Sequence, residues 1–254
     1  LPDLVQSIVL DGTGVKRRVR LNSGNGWAAA DAPQWTIPPI LTQVAGGQNS
    51  VPNGVDFVDL NGDGLVDIIQ KIKELSTNAV ENKRYLNNGS GWTEETGSAW
   101  DPGEFLMYRD TTRPFDNGVR FADVNGDGLA DLVQSLNQTN PALVVRSVRF
   151  NTGTGWGPVT PWNHPDFFAS NDLGARNGMN TGAVLMDVTG DGLVDFVRAY
   201  SQPGFGSPVK TLVSGAGEAD LLQRATSPLG GATVVTYRKT TSDGTHSVPF
   251  PVAY

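Results

Sequence analysis

The chain has 254 residues with 19 Lys+Arg against 26 Asp+Glu, and its formal net charge of −7 argues against a nucleic-acid or anionic-membrane surface. An apolar share of 38%, with six Trp and ten Phe, is enough for a sizeable core and excludes wholesale disorder; no stretch approaches the roughly 18 apolar residues of a membrane span. The absence of Cys excludes a disulfide framework, a thiolate zinc site and a Cys nucleophile, while 31 Gly and 16 Pro point to the tight turns of an all-β fold.

In chain order, Leu1-Pro2-Asp3-Leu4-Val5 reads as the second half of a unit that occurs whole three times further on. Leu21-Asn22-Ser23-Gly24-Asn25-Gly26-Trp27 follows, with Trp35 behind it. Val55-Asp56-Phe57-Val58 then alternates as a strand, Asp59-Leu60-Asn61-Gly62-Asp63-Gly64-Leu65-Val66-Asp67 makes an acidic loop, and Leu65 to Ile72 alternates again with one apolar face. Arg84-Tyr85-Leu86 runs into the Asn87-Asn88-Gly89 turn and Trp92, with Trp100 behind. The same order returns at Phe121-Ala122, Asp123 to Asp131, Phe150-Asn151 to Trp156, and Trp162. It returns once more at Leu185-Met186, Asp187 to Asp195 and Leu212-Val213-Ser214-Gly215-Ala216-Gly217, where Glu218 stands in place of the Trp.

The last Asp of each acidic loop sits at 67, 131 and 195, a spacing of 64, and one further step back lands on Asp3. The chain is therefore expected to open inside a further copy and to be a piece of a longer protein. No window of a dozen residues carries the capped apolar stripe of a helix. Four short strands per unit, the fourth lying between the paired Trp, is the layout of a propeller blade. A parallel β-helix is the alternative, but its rungs are much shorter than this period. The expectation is an all-β chain: a β-propeller, or part of one, with four-stranded antiparallel blades of about 64 residues over 1–215, the first truncated. Residues 216–254 are expected to form a β-hairpin segment turning at Pro228-Leu229-Gly230-Gly231 and leading into a further module.

The chemistry lies in the frame Asp-x-Asn-Gly-Asp-Gly-Leu-x-Asp. Oxygen side chains at positions 1, 3, 5 and 9, with the position-7 carbonyl, can wrap a hard cation, and Gly at 4 and 6 permits the positive φ that the wrap needs. The expected ligands are Asp59, Asn61, Asp63, Leu65 and Asp67; Asp123, Asn125, Asp127, Leu129 and Asp131; and Asp187, Thr189, Asp191, Leu193 and Asp195. Thr189 supplies a hydroxyl where the others have an amide oxygen, so the third site is expected to be the weakest. Calcium accepts 6–8 oxygens in loose geometry, whereas magnesium wants a stricter octahedron. His164 and His246 lie outside the frame, which disfavours softer metals. The frame starts like an EF-hand but has Gln70, Gln134 and Arg198 where the twelfth-position Glu belongs, and strand formers follow it. About three structural Ca²⁺ ions are expected, and they would bring the net charge from −7 to about −1.

These loops resemble the FG-GAP/VCBS repeats of integrin-α-like propellers, whose calcium is structural and sits in a hairpin loop of each blade. The Leu-Asn-x-Gly-x-Gly-Trp signature is similar to that of bacterial toxin-complex B components and SpvB/RHS-type secreted proteins. Ser227-Pro228-Leu229-Gly230-Gly231-Ala232-Thr233 and Val248-Pro249-Phe250-Pro251-Val252 are similar to the segments that follow the propeller in that group. The resemblance implies a secreted bacterial virulence protein, with the chain as a structural and docking module for a toxin subunit or a neighbouring domain. No RHS Tyr-Asp repeat is present in the chain.

A carbohydrate-binding or adhesive propeller is the alternative, with a glycan as ligand; a polysaccharide-degrading enzyme is remoter. Neither His has a Gly-x-Ser-x-Gly elbow nearby, so the chain is expected not to be an enzyme. The periodic Gly-Trp pairs read better as seals between blades than as sugar platforms.

Overall fold

The computed structural model describes residues 2–10, 14–45, 49–110, 113–163, 166–174, 177–199, 209–214, 224–226 and 232–234. His164, Glu218, the turn at 228–231, His246 and the 248–252 segment lie outside the described residues.

Four sheets, rich in antiparallel pairing, are arranged as the blades of a β-propeller. The first holds β1 (Leu4–Leu10), β2 (Gly14–Arg20), β3 (Thr42–Ala45) and β4 (Asn49–Pro52) in the order β2-β1-β3-β4. The second holds β5 (Val55–Val58), β6 (Asp67–Glu74), β7 (Val80–Asn87), β8 (Trp92–Glu94), β9 (Met107–Arg109) and β10 (Pro114–Asp116). The third repeats it with β11 (Val119–Ala122), β12 (Asp131–Thr139), β13 (Ala142–Arg149), β14 (Thr160–Pro161), β15 (Ala169–Asp172) and β16 (Asn177–Asn180). The fourth shows β17 (Ala183–Met186), β18 (Asp195–Ala199) and β19 (Val209–Leu212). β20 (Arg224–Thr226) and β21 (Ala232–Val234) pair antiparallel. Among the described residues the one helical element is a 3₁₀ turn, Pro33–Trp35.

The expected run of four strands is present as β5-β6-β7-β8, with β8 starting at the first Trp of the pair. The structure adds a hairpin, β9–β10, that the sequence pattern does not announce because its strands are only three residues long. β5 takes the first half of the β6 edge, pairing Val58 with Asp67 and Val55 with Gln70. β9 takes the second half in parallel, pairing Ile72 with Met107. β12 divides its edge in the same way between β11 and β15.

The alternating pattern expected for Leu65 to Ile72 is not how this strand is buried. From Asp67 to Ile72 every residue of β6 is buried, and so is every residue of β12 from Asp131 to Leu136. A strand held between two neighbouring blades has no solvent face, so both of its sides are covered. Ile69, Leu60, Val58, Trp100 and Leu106 of the second blade pack with Leu132 and Val119 of the third. Val133, Val148 and Phe168 of the third pack with Ala183 and Phe196 of the fourth. The Trp pairs sit in these joints, but each pair spans two repeats. Trp92 lies edge-on to Trp35 at 6.1 Å, and Trp156 edge-on to Trp100 at 5.5 Å. The Trp92 indole N–H donates to the Trp35 carbonyl (3.2 Å), and the Trp156 amide donates to the Ala99 carbonyl (3.0 Å).

Lys71 replaces a serine that the neighbouring repeats use. Ser7 Oγ and Ser135 Oγ donate to the carbonyls of Pro39 and Asp166, whereas Lys71 Nζ reaches Asp101 Oδ1 at 2.6 Å and lies 5.5 Å from the Phe105 ring centre. Burial alone would raise the Asp101 pKa; Lys71, the Gly103 amide and the Asn82 amide outweigh it and bring it down to about 2. Its ionised form therefore adds stability above the ordinary value of 3.8, and that stability is lost as pH falls toward about 2. Asp101→Asn is expected to flatten the acid limb of stability over that window, as read by denaturant unfolding at stepped pH. Leu132→Ala, opening a cavity in a joint, is expected to cost about 2–5 kcal/mol, while Val144→Ala on the exposed surface stays within about 0.5 kcal/mol.

Candidate metal centre

Each acidic frame forms the hairpin loop between two antiparallel strands: 59–66 joins β5 to β6, 123–130 joins β11 to β12, and 187–194 joins β17 to β18. The position-9 residues Asp67, Asp131 and Asp195 open the second strand of each hairpin. Gly at positions 4 and 6 has positive φ in all three loops: 74° and 83° at Gly62 and Gly64, 81° and 85° at Gly126 and Gly128, 74° and 84° at Gly190 and Gly192.

The side-chain oxygens organise the loop backbone. The position-1 carboxylate accepts from the amides of both glycines: Asp59 from Gly62 and Gly64 at 2.8 Å each, Asp123 from Gly126 and Gly128 at 2.7 Å each, and Asp187 from Gly190 (2.6 Å) and Gly192 (2.9 Å). Asn61 and Asn125 accept from the Asp63 and Asp127 amides, and Asp63, Asp127 and Asp191 accept from those of Leu65, Leu129 and Leu193. These are successive Asx turns, which hold a tight loop without a ladder.

The position-9 carboxylates stand apart because all three are fully buried. One oxygen accepts from the amide of loop position 2: Leu60 (2.9 Å), Val124 (3.1 Å) and Val188 (3.0 Å). The other accepts from an amide at the end of the third strand or just beyond it: Asn87 (2.7 Å), Asn151 (2.8 Å) and Ser214 (2.8 Å). Asp3 accepts from the Asn22 amide in the same manner (2.7 Å). Burial pushes Asp131 up to about 6 against the pull of its two amide donors, and the carboxylates of Asp127 and Asp123 add to the rise. Asp67 is raised for the same reasons, with Asp63 and Asp59 nearby.

Two sets of residues take part that motif reading does not assign to the loop. The first Asn of each Asn-x-Gly turn donates from Nδ2 to the carbonyl at loop position 8: Asn22 to Pro2 (3.0 Å), Asn87 to Val66 (3.2 Å) and Asn151 to Ala130 (3.1 Å). The twenty-residue interval from Asp67 to Asn87, kept from Asp131 to Asn151, is the signal that could have found them. The position-12 side chains, where an EF-hand would place its Glu, turn away from the loop. Gln70, Gln134 and Arg198 donate to the carbonyls of Asn53, Asn117 and Thr181, which lie just ahead of β5, β11 and β17.

All of the expected ligands thus lie on the three loops, and their donor set is oxygen alone, which suits a hard cation. Among the described residues, no three His, Cys, Asp or Glu side chains are grouped so as to hold a metal ion. A carboxylate has about four lone-pair sites, so one amide bond per oxygen leaves capacity for a cation on the same group. The chain matches no family model and no curated protein.

In metal-free protein, Asp131→Ala is expected to cost more than Asp127→Ala. The first leaves two amides without their acceptor, that of Asn151 buried, at about 1–3 kcal/mol, and that of Val124 partly buried, whereas Asp127 is exposed. Urea midpoints of the two variants in chelator check this; equal losses would refute the scaffold role of the buried carboxylate.

Proposed function

We propose that the chain is a non-catalytic, calcium-stabilised β-propeller module that serves as a structural and protein-docking part of a secreted bacterial toxin-complex or RHS-like protein. The observation that carries the calcium reading is the buried position-9 carboxylate, repeated three times beside further acids of its own loop. Asp131 is pushed up to about 6 by burial and by Asp127 and Asp123, and a divalent ion would relieve both penalties at once. Asp59, Asn61, Asp63, Asp67 and the Leu65 carbonyl would hold one ion, and the equivalent sets of the next two loops the others. The bound ion would supply charge neutralisation, tying loop to strand.

The docking role is supported by a row of apolar side chains at equivalent positions. Val15, Val80 and Val144 are all exposed, and each lies near the start of its blade's third-strand equivalent, at the far end of the sheet from the acidic loop. Such a row suits a protein partner, either a toxin subunit or a neighbouring domain. A carbohydrate-binding reading finds less support, since Trp35, Trp92, Trp100 and Trp156 face one another across blade joints.

Calcium at a hundredfold excess over Kd is expected to stabilise each site by about 2.7 kcal/mol, so the melting temperature should fall when a chelator replaces calcium at fixed ionic strength. Asp63→Ala and Asp127→Ala are expected to lose part of that shift, and Asp191→Ala less, because Thr189 makes the third site weaker at the start. A melt that is the same with calcium and with chelator would sink the calcium reading.

A further inference from the structure

We propose that the free edge of the first blade, along β2, binds an extended acidic segment of a partner protein as an added strand. β2 is the end strand of its sheet, and it is basic in a chain of net charge −7. Lys16, Arg17, Arg18 and Arg20 fall within its 7 residues, which include no acid. Lys16, Arg18 and Arg20 alternate onto one face of the strand and Arg17 onto the other. Arg18 and Arg20 share the Asp31 carboxylate at 3.3 and 3.2 Å, and the Arg17 guanidinium donates to the Pro38 carbonyl (3.0 Å). Among the described residues Lys16 has no ion-pair partner, so four cations meet one acid.

The second blade shows how such an edge is matched. There the segment after Trp92 carries Glu94 and Glu95, which pair with Lys83 and Arg84 of β7. The segment after Trp27 reads Ala28-Ala29-Ala30-Asp31-Ala32-Pro33 instead. It touches the edge through the Ala28 and Ala32 amides, which donate to the carbonyls of Leu21 and Val19 (2.8 Å each). It then turns through Pro33, Pro38 and Pro39, which have no N–H to give a ladder, and Ser7 and Arg17 hold the Pro39 and Pro38 carbonyls. The bonds to Val19 and Leu21 mark the odd-numbered residues as those whose backbone faces outward, because bonding alternates along an antiparallel strand. Arg17 and Val15 come next, and among the described residues their outward N–H and C=O groups have no partner.

Exposure at these positions does not come from a missing neighbour. Glu81 and Lys83 hold the places of Lys16 and Arg18 in the second blade, and beside the first blade their side chains are still 53% and 50% exposed. A second copy of the chain fits poorly, because two β2 edges would set like charges opposite one another. The occupant is an extended segment whose backbone bonds Val15 and Arg17 and whose acids, at alternate positions, stand opposite Lys16 and Arg18. Outside the described residues, only Glu218 and Asp220 set two acids at alternate positions of this chain, so the test includes them. The proposal rests on neither the calcium reading nor the row of exposed valines.

The test is fluorescence anisotropy of labelled synthetic peptides with the 254-residue protein. A peptide with Glu at alternate positions among Thr and Val should bind, and its Gln counterpart should bind about tenfold or more weakly. A peptide of the same composition with its Glu residues adjacent should also bind more weakly, because only alternation puts them on one face. Arg18→Glu should abolish binding. Arg17→Pro should weaken it beyond Arg17→Ala, since it also removes an outward N–H that an edge strand can lose and still fold. Melting curves of each variant check that the blade is intact. Equal binding of the alternating and adjacent-Glu peptides would overturn strand addition and leave a basic patch only. Absence of binding by every peptide would also overturn it, leaving the cations to keep the edge from pairing. Binding that appears only in the Glu218→Gln, Asp220→Asn double variant would overturn it by making that segment of the chain the occupant.

Discussion

A buried carboxylate with two backbone donors is the interaction on which each complete repeat depends. Asp67, Asp131 and Asp195 each hold two amides that are far apart in sequence, one in the acidic loop and one about twenty residues on. That one side chain fixes where the hairpin loop closes and where the third strand ends. Burial makes the arrangement costly: it outweighs the two amide bonds and raises the Asp131 pKa. Hairpin register and the proposed cation site therefore share the same two oxygens.

The loops are also part of the joints. The Asn151 amide group donates to the Ala130 carbonyl of its own loop and to the Leu60 carbonyl of the preceding one (2.9 Å). Gly62 is pressed against Leu129 so closely that a Cβ would come within 2.5 Å of the Leu129 side chain. The loop of the second blade thus rests on the third blade, and Leu60 is fully buried there. In the fourth blade Ser214 takes the place of Asn151 and donates the same bond to the position-9 carboxylate through its amide, but among the described residues its hydroxyl is buried without a partner. The shorter side chain does not provide the amide group that bridges the previous two loops.

The position-12 residues explain why a frame that starts like an EF-hand ends as a hairpin. An exiting helix would carry position 12 back over the loop. Here Asp67 opens a strand, and Gln70 pairs with Val55 on β5. Its side chain satisfies the Asn53 carbonyl, a buried acceptor just ahead of β5. Backbone direction after position 9 decides the role of position 12.

The acidic loops, their positive-φ glycines, the hairpin context and the repeat of 64 residues were legible in the sequence, because Asp, Asn and Gly act there through the backbone of the same nine residues. The all-β propeller was legible for a related reason: the period shows directly, and four short strands per period leave few other architectures. The β9–β10 hairpin was not, since three-residue strands carry no alternation and owe their pairing to the free half-edge of β6. Nor was the burial of both faces of β6, including Lys71, which depends on a neighbouring blade and on Asp101 thirty residues away. The crossing of Trp pairs from one repeat to the next was likewise settled only in three dimensions, because a period shows that two Trp recur but not which repeat each one faces. Local turn chemistry belongs to the sequence; the pairing of distant surfaces belongs to the packed structure, where the energy of burial chooses among them.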